Sequence, residues 1–421
     1  MATQRSKDRL NVLVISDLFP NPAKPAFGIF VERQTTHVQA YCNNVVVVPL
    51  RIFPHLRLWK QIHQPKRVRE AWQRWQAELA MIPDKQQING IPVYYPRYTS
   101  LPKQLFHATW GFFAYPFLMG RLRELHKKYS FDLIHAHYAA PAGVIALLAQ
   151  RWLKIPIVLS VHGTDVTYTA KQHAIGAAII RWVFKNVDII LANSTWTAKQ
   201  IAYYGGDLSK IETLFLAGDS PPSVQVTEPA KQKGALTLLS VGYLERLKGN
   251  SYVLQALRRL LDMGYALRYV IVGDGPERQN FERITKELNL EAYVSFEGYK
   301  KHSEVWPYFA ACDIFVLPSW IEPFGIVYIE ALGLGKPVIA CEGTGGPTDI
   351  KRLCPECIEL VKQQDVNSLV QALKSLIEDP EKRAQMGALG QQLVADKFTW
   401  QRNAELTQQI YKQVLEWPKK K

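Results

Sequence analysis

The feature that most limits the fold of this chain is a regular alternation of short apolar runs with longer amphipathic segments. The apolar runs are NVLVIS, NVVVVPL, DLIHAH, PIVLSVHG, DIILANS, ALTLLSVG, LRYVIVGDG, VSFEG, DIFVLPS and KPVIA. Stretches of helical period, such as residues 142–153 and 174–186, separate most of them. Such alternation predicts parallel sheets with helices on both faces. Because 421 residues are too many for one ordinary core, we predict an α/β chain with two doubly wound, Rossmann-like domains facing a central cleft.

A polar, proline-rich stretch divides the alternation into two halves. Residues 218–234, GDSPPSVQVTEPAKQKG, show no apolar periodicity and have the composition of an interdomain linker. We therefore predict an N-terminal domain over residues 1–218, a linker over 219–234 and a C-terminal domain over 235–396. Residues 397–421 contain a predicted long helix, and its pattern alone allows it to cap the second domain.

A formal net charge of +14 predicts attraction to nucleic acid, a membrane surface or a phosphate-bearing substrate. Residues 51–76 hold seven Lys or Arg against one Glu, with Trp59, Trp72 and Trp75 interleaved. Such a segment suits an anionic membrane surface, and a solvated helix whose tryptophans pack inward explains it equally well. No nucleic-acid-binding motif accompanies the segment, so we predict no nucleic-acid partner.

The chain shows no secretory signal and no apolar run of membrane-spanning length, because residues 105–119 are interrupted by His107 and Pro116. Five cysteines, odd in number and scattered, suit a reducing compartment. We predict a cytoplasmic protein, either free or peripheral on the inner face of the plasma membrane. Cys354 and Cys357 have metal-ligand spacing but no second pair, which favours two ordinary thiols over a zinc or redox site.

An anion site is predicted where VGYLERLKG leaves a strand and enters a helix. Arg246 and Lys248 lie there beside free helix N–H groups, an arrangement that suits a diphosphate. A solvated first turn is the alternative. The glycines of VGDGP are too few for a dinucleotide fingerprint, and GLGKP lacks the spacing of a phosphate loop.

Two glutamates with seven residues between them stand out in SWIEPFGIVYIEALGLGKPVIA. A helix that starts near Gly325 places Glu330 in its early turns, where a carboxylate can accept both hydroxyls of a ribose. Glu322, in the loop ahead of the helix, can meet a second polyol. The amides of Phe324, Gly325 and Ile326 can face an anion. Because the chain has no Asp-x-Asp pair, we expect no metal, with cations and helix dipoles acting instead.

Three histidines follow strand patterns in the first half. His162, in HGTDV, ends a strand and can touch a ligand through its side chain or carbonyl, although a satisfied loop histidine is as common. His135 and His137 alternate along a strand, so one is expected to face the site while the other is buried. Without a third ligand they make a poor metal site.

Taken together, these motifs resemble the family-four retaining glycosyltransferases of the GT-B fold. The matching stretches, in family order, are GIF, DLIHAH, HGTDV, LKG, VGDGP, DIFVLPS, EPFGIVYIEALGLGKPVIA, GTGGPTDI and the terminal FTW helix. The resemblance implies a metal-independent, retaining hexosyltransferase of bacterial polysaccharide-biosynthesis type that uses a UDP- or GDP-sugar and no cofactor. The implied acceptor is a lipid-linked glycan, a polysaccharide or a glycolipid of the cell envelope.

The resemblance also implies roles for individual residues. Its catalytic positions are His162, Lys248 and Glu322. Its donor-binding positions are Gly28, Arg246, Lys248, Phe324, Gly325, Ile326 and Glu330. In this scheme Glu330 binds the ribose, Glu322 the donor sugar and Lys248 the diphosphate. Gly28 lets a loop approach the donor, and His162 borders the transferred sugar. The last helix, residues 397–421, is expected to return to the N-terminal domain.

Two positions depart from the family pattern. Tyr243 stands where an arginine is usual, so Arg246 is expected to supply the charge, and Asp349 replaces the usual glutamate. Retention is expected through front-face attack without a protein nucleophile. Two alternatives remain open. One is transfer to a soluble sugar phosphate, as in sucrose-phosphate synthase, and the other is a nucleotide-binding protein without transferase activity.

Overall fold

The computed structural model describes residues 9–52, 65–100, 107–219 and 234–416, which form two compact units. The first contains the described parts of Met1–Asn193, Thr197–Leu214 and Gln401–Lys421. The second contains Ser194–Trp196 and the described part of Phe215–Trp400. Most of the predicted linker, residues 220–233, lies outside the described residues, as do residues 53–64 of the basic segment, including Trp59.

The first unit is built on a sheet that follows the predicted strand runs. Its strands are β1 (Leu10–Ser16), β2 (Cys42–Val47), β3 (Leu50–Arg51), β4 (Lys85–Ile88), β5 (Ile91–Tyr94), β6 (Arg97–Tyr98), β7 (Leu133–His137), β8 (Ile157–Val161), β9 (Ile189–Ala192) and β10 (Ile211–Thr213). The main sheet has the order β10-β9-β8-β7-β1-β2-β5-β4, while β3 pairs with β6. Each pairing in the main sheet is parallel except that of β4 with β5.

Helices connect these strands, and all of them except α2 bury side chains within the unit. They are α1 (Ile29–Val38), α2 (Pro65–Met81), α3 (Trp110–Tyr129), α4 (Val144–Leu153), α5 (Ala174–Asn186) and α6 (Thr195–Tyr203). Short helical turns are left unnumbered. The strand order reverses between β1 and β7, where Ser16 is paired with His137. In open parallel sheets, ligands bind beyond the carboxyl ends of the strands at such a reversal.

The second unit is a six-stranded parallel sheet with helices. Its strands are β11 (Leu236–Val241), β12 (Leu267–Val272), β13 (Val294–Gly298), β14 (Ile314–Leu317), β15 (Val338–Cys341) and β16 (Ile358–Val361). Its helices are α7 (Asn250–Asp262), α8 (Arg278–Glu287), α9 (His302–Ala311), α10 (Ile326–Gly333), α11 (Gly345–Leu353), α12 (Val366–Glu378) and α13 (Pro380–Lys397). The order β13-β12-β11-β14-β15-β16 reverses between β11 and β14. The predicted α/β class, with parallel sheets in two units, is confirmed.

The last helix, α14 (Trp400–Glu416), packs in the first unit from Gln401 onward. Its residues Ala404, Tyr411 and Val414 join the core formed by β1, β2 and β7. The Gln34 side-chain amide donates to the side-chain oxygen of Asn403 over 3.0 Å, so the contact is polar as well as apolar.

The structure joins Cys354 and Cys357 in a disulfide after α11 ends. The expectation of two ordinary thiols is therefore wrong, because the Cys-x-x-Cys turn brings the two Cα atoms to 5.4 Å, within bridging distance. The cysteines at positions 42, 312 and 341 are buried and lie outside this disulfide.

None of the helices in the described part of the chain has both the length and the apolar character needed to cross a membrane.

Candidate functional site

Two loops meet at the strand reversal of the second unit, one following β11 and the other following β14. Gly249, which precedes α7, packs so closely that a Cβ there would lie 2.3 Å from the carbonyl oxygen of Pro318. The φ angle of Gly249 is +77°, a conformation that favours glycine. The LKG motif therefore places the side chain of Lys248 next to the loop that carries Glu322.

Lys248 and Glu322 form the central ion pair of this site. The Lys248 Nζ donates to Glu322 Oε2 over 2.7 Å, and the two side chains are 23% and 10% exposed. A charge-assisted bond of this length, partly shielded from water, is stronger than a typical surface pair. The structure thus brings together two predicted catalytic residues that are 74 positions apart in the sequence.

The shape of the loop that holds Glu322 is set by backbone packing against the start of α11. A Cβ on Gly345 would lie 1.9 Å from the carbonyl oxygen of Pro323, and one on Gly346 would lie 1.9 Å from that of Phe324. The Gly345 amide also donates to the Glu322 carbonyl over 2.8 Å. The glycine pair of GTGGPTDI therefore fixes the loop, a role that the sequence analysis did not assign.

Glu330 lies in the second turn of α10 and is 5% exposed, in the early turns where the sequence analysis expected it. Its Oε1 is 2.6 Å from His302 Nε2, at the start of α9. His302 Nδ1 in turn is 3.6 Å from Asp219 Oδ2, and Trp400 Nε1 donates to Asp219 Oδ1 over 2.8 Å. No local motif marks His302 or Asp219, and Trp400, although it ends the FTW motif, was not expected to contact this site.

The backbone ahead of α10 offers donors to an anion. Gly325 caps the helix with φ of +80°, and among the described residues the amides of Phe324, Gly325 and Ile326 have no hydrogen-bond acceptor. Free N–H groups at the start of a helix carry partial positive charge. Together with the Lys248 ammonium, they give this corner of the unit the character of a phosphate site.

Arg246 and Tyr243 belong to the same loop after β11 but make different contacts. The Arg246 side chain is exposed, and its guanidinium carbon lies 6.0 Å from the ring centre of Trp320. Tyr243 is 60% exposed. Neither residue is bonded to the Lys248–Glu322 pair, so the predicted compensation by Arg246 stays a prediction.

Asp349, the second departure from the family pattern, is a structural carboxylate here. It is 1% exposed and accepts hydrogen bonds from the Thr195 amide over 2.8 Å and from Thr195 Oγ1 over 2.6 Å. Arg352 lies 3.6 Å away on the same helix. These contacts hold α11, whose first residues support the glutamate loop.

In the first unit, Gly28 sits at the end of the loop that follows β1. Its φ is +71°, and a Cβ there would lie 2.4 Å from the Leu18 carbonyl group. Gly28 also caps α1, and its carbonyl oxygen accepts from the amides of Val31 and Glu32. Only glycine fits this approach, which folds the loop back onto the end of β1.

His162 follows β8 and is surrounded by aromatic rings. It stacks on His137 with ring centres 5.3 Å apart and lies 4.8 Å from Phe30 and 4.9 Å from Tyr138. Its carbonyl oxygen accepts from Asn193 Nδ2 over 3.2 Å. Its ring Nδ1 is buried and has no hydrogen-bond partner among the described residues, which leaves a polar atom for a ligand.

The expectation that only one of His135 and His137 is buried is wrong, because helices cover both faces of β7 and both side chains are at most 2% exposed. His135 Nδ1 is 2.6 Å from the Tyr411 hydroxyl and Nε2 is 2.8 Å from the Ser160 hydroxyl. His137 Nδ1 is 3.1 Å from His162 Nε2. Burial lowers the pKa of His135 to about 3 and holds that of His137 well below its usual value.

Two protein-family models match the chain in succession. The model for Glycosyltransferase Family 4 matches residues 82–215, and the model for Glycosyl transferases group 1 matches residues 225–393. The chain is a family-4 glycosyltransferase of the GT-B fold. The resemblance inferred from the motifs is thereby confirmed, and so is the transferase class.

Curated relatives of this glycosyltransferase are similar over most of their length. A putative teichuronic acid biosynthesis glycosyltransferase from Bacillus subtilis is 28% identical over 359 residues, covering 81% of this chain and 83% of the relative. A GDP-mannose-dependent phosphatidylinositol monomannoside mannosyltransferase from Mycolicibacterium smegmatis is 26% identical over 327 residues, covering 72% and 82%.

Solved structures with the same fold cover nearly the whole glycosyltransferase. Sucrose-phosphate synthase from Thermosynechococcus elongatus matches with a TM-score of 0.72 at 20% identity, covering 96% of this chain and 99% of that one. Anabaena HepE, solved in complex with UDP-glucose, matches with a TM-score of 0.67 at 17% identity, covering 96% and 100%. These two matches support the fold.

Proposed function

We propose that this glycosyltransferase moves a hexose, with retention of configuration, from a UDP- or GDP-sugar to a lipid-linked glycan, a polysaccharide or a glycolipid. The observation that carries the proposal is the convergence of Lys248, Glu322 and the amides before α10 at the strand reversal of the second unit. A cation, free N–H groups and a carboxylate meet there, as a nucleoside diphosphate sugar requires.

Each group in this corner matches one part of the donor. Lys248 and the amides of Phe324, Gly325 and Ile326 neutralise the diphosphate. Glu322 accepts hydrogen bonds from hydroxyls of the sugar, next to the lysine, because the sugar is joined directly to the phosphate. Glu330 accepts from the ribose hydroxyls and exchanges its bond to His302 for them. The HepE protein, solved with UDP-glucose, supports a nucleotide-sugar donor for this fold.

Catalysis in this proposal rests on stabilising the leaving diphosphate. The acceptor oxygen bonds to the anomeric carbon as the bond from that carbon to the phosphate oxygen breaks. The acceptor proton passes to an oxygen of the departing phosphate. Negative charge grows on the leaving group, so Lys248 and the helix amides bind the transition state more tightly than the ground state. Neither a protein nucleophile nor a cofactor takes part.

Metal independence and the roles of Gly28, His162 and Arg246 belong to the same proposal. Among the described residues, no three His, Cys, Asp or Glu side chains are grouped so that they could hold a metal ion. The unpaired Nδ1 of His162 supports a contact with the transferred sugar. The tight turn at Gly28 supports close approach of its loop to the donor, and Arg246 supplies a second positive charge for the diphosphate.

A membrane-linked acceptor is supported by the composition of α2. Trp72 is 41% exposed and its ring centre is 5.1 Å from that of Trp75, so Trp72 does not pack inward. The mannosyltransferase relative is named for a phosphatidylinositol acceptor. We therefore favour a peripheral protein on the inner face of the plasma membrane.

A soluble acceptor is the second candidate, since the sucrose-phosphate synthase fold is also similar and a D-inositol 3-phosphate glycosyltransferase from Corynebacterium glutamicum is 27% identical over 340 residues. Product analysis with soluble sugar phosphates and with polyprenyl-linked sugars separates the two. A third reading, a nucleotide-binding protein without activity, is excluded if the donor is slowly hydrolysed without acceptor.

Donor binding tests the core of the proposal. A donor present at about 100 times its dissociation constant stabilises the protein by roughly 2.7 kcal/mol, which a thermal-shift panel of nucleotide sugars detects. Glu330→Ala is expected to abolish the shift. Glu287→Ala, an exposed glutamate in the same unit, serves as the matched control and keeps it. A full-sized shift in Glu330→Ala contradicts the ribose role.

The reaction itself needs a separate measurement. The anomeric proton signal of the product, followed by NMR, is expected to show retention, and activity is expected to persist in a chelator. Lys248→Ala is expected to lower the rate about a hundredfold or more, corresponding to about 3 kcal/mol of lost charge stabilisation. An inverted product, or activity that depends on added metal, refutes those parts of the proposal while leaving donor binding intact.

A further inference from the structure

The first unit presents phenylalanines to solvent on one helix. Phe112, Phe113 and Phe117 of α3 are 42%, 40% and 56% exposed. In the described residues Phe27 is the other phenylalanine with comparable exposure, so three of the four lie within two turns of α3. Ile175 of the neighbouring α5 is 63% exposed, and Phe112 reaches α5 through Trp182, with ring centres 5.8 Å apart.

The exposure of these rings follows from the helix pattern. α3 buries a separate stripe against the unit, made of Gly111, Ala114, Leu118, Leu122 and Leu125. Phe113 and Phe117 are four residues apart and therefore share one outward face. The helix already has its core stripe, so the exposed parts of these rings are not used in packing within the unit.

Basic residues continue along the same helix, and Arg121 and Lys128 lie on the same side of it as Phe117. Arg121 lies one turn beyond Phe117, and the exposed residues that follow on α3 are Arg123, Glu124, Lys127 and Lys128. On α5 the exposed Arg181 and Lys185 flank Trp182. Glu124 is the single acidic residue on this part of α3, and it pairs with Arg121 over 2.8 Å.

We propose that this surface, named here the phenylalanine face and made of Phe112, Phe113, Phe117, Ile175 and the adjacent basic residues, binds an anionic phospholipid bilayer. Aromatic side chains insert at the level of the lipid headgroups, and lysine and arginine bind the phosphates there. The inference rests on the proposed membrane-linked acceptor, because this face would hold the enzyme at the membrane that contains it. Its test does not depend on the transferase reaction.

Charge argues for lipid over a protein partner. Protein interfaces are depleted in lysine at their centres, whereas the two helices that carry these rings also expose Lys127, Lys128 and Lys185. The whole chain has a net charge of +14, so long-range attraction also favours an anionic surface. The face lies on α3 and α5, whereas Trp72 and Trp75 of the basic segment at residues 51–76 lie on α2.

Sedimentation of the full-length protein with liposomes tests the inference. Vesicles of phosphatidylcholine alone and of phosphatidylcholine with phosphatidylglycerol are compared at low salt. The wild type is expected to sediment with the anionic vesicles only. The double variant Phe113→Ser, Phe117→Ser is expected to bind at least about tenfold more weakly, because it removes apolar area that the wild type would bury in the membrane. Lys127→Gln is expected to weaken binding about fivefold.

Matched controls come from the same unit. Tyr203 and Leu208 are 79% and 74% exposed, so the double variant Tyr203→Ser, Leu208→Ser removes a similar apolar area from another place. Lys199→Gln removes an exposed lysine from α6. Both controls are expected to bind anionic vesicles like the wild type. Thermal unfolding and the donor thermal shift are measured for all variants to show that they are folded.

Several outcomes overturn the inference. These are no vesicle binding by the wild type, equal loss in the control variants, and unchanged binding by the phenylalanine variant. If only Trp72→Ser lowers vesicle binding, the membrane-binding surface lies on α2 instead. A change of oligomeric state in the phenylalanine variant, without a change in vesicle binding, makes the face a contact between copies of the chain. Loss of vesicle binding with an intact donor shift supports the inference whatever the reaction proves to be.

Discussion

The buried histidines beside β7 predict that the first unit loses stability as the pH falls from about 7 to about 5. Burial lowers the pKa of His135 and of His162 to about 3, and the pKa of His137 lies well below its usual value. The unfolded chain binds protons at these positions below about pH 6.5, whereas the folded chain does not. Stability therefore rises with pH between about 3 and 6.5 and falls on acidification.

The size of the effect follows from the proton count. Each proton bound only by the unfolded state costs about 1.4 kcal/mol per pH unit, so each histidine costs about 2 kcal/mol between pH 6.5 and 5. Burial raises the pKa of Asp165 to about 6, so acidification to pH 5 stabilises the folded state by about 1 kcal/mol through this group. The net loss, about 5 kcal/mol, is comparable with the stability of a whole domain.

Hydrogen exchange of the β7 and β8 amides measures this loss in the first unit alone. Protection factors, corrected for the intrinsic exchange rate at each pH, are expected to fall steeply between about pH 7 and 5. His135→Gln is expected to reduce the slope of the unfolding free energy against pH by about one proton. His173→Gln, at an exposed position, is expected to leave that slope unchanged. Protection that stays constant or grows at the lower pH refutes the reasoning.

Three further predictions concern single residues. Gly28→Ala is expected to lower the unfolding free energy by about 2 kcal/mol or more in denaturant titrations, since φ is positive and the new Cβ meets a backbone carbonyl at 2.4 Å. The control Gly120→Ala, at an open helix position, is expected to stabilise the protein by up to about 1 kcal/mol. Equal effects of the two substitutions contradict this. His302→Ala removes the hydrogen-bond partner of the buried Glu330 carboxylate and is expected to lower the unfolding free energy by about 1–3 kcal/mol in the same titration. An unchanged unfolding free energy argues against this bond. Gly346→Ala adds a carbon 1.9 Å from a loop carbonyl and must displace it. The variant is therefore expected to lose the donor thermal shift while still unfolding cooperatively. An unchanged shift rules out the role of Gly346 in fixing the loop that holds Glu322.

Much of the fold is predictable from the sequence, because parallel strands that are buried on both faces appear as runs of apolar, β-branched residues. DLIHAH and DIFVLPS appear as β7 and β14 within a residue or two. The antiparallel β4–β5 hairpin was missed, although Asn89 and Gly90, both with positive φ, are the expected signal for a two-residue turn.

The candidate site was predictable only where a motif is local. Glu322 and Glu330 are eight positions apart on one loop and helix, so their spacing was informative. His302 and Asp219 were not found, because tertiary packing brings His302 to Glu330, and Asp219 to His302, from distant parts of the chain. The disulfide was missed for a different reason, since Cys-x-x-Cys alone does not distinguish free thiols, metal ligands and a bridge.

The bond between Thr195 and Asp349 has a practical consequence for anyone who dissects this enzyme. The residues Ser194–Trp196 belong to the second unit, although the rest of that unit begins at Phe215. A gene fragment that starts after the linker would omit Thr195 and strip a buried carboxylate of both its donors. The second unit is therefore expected to express poorly by itself, and a short peptide or a circular permutant that restores the missing threonine is expected to rescue it.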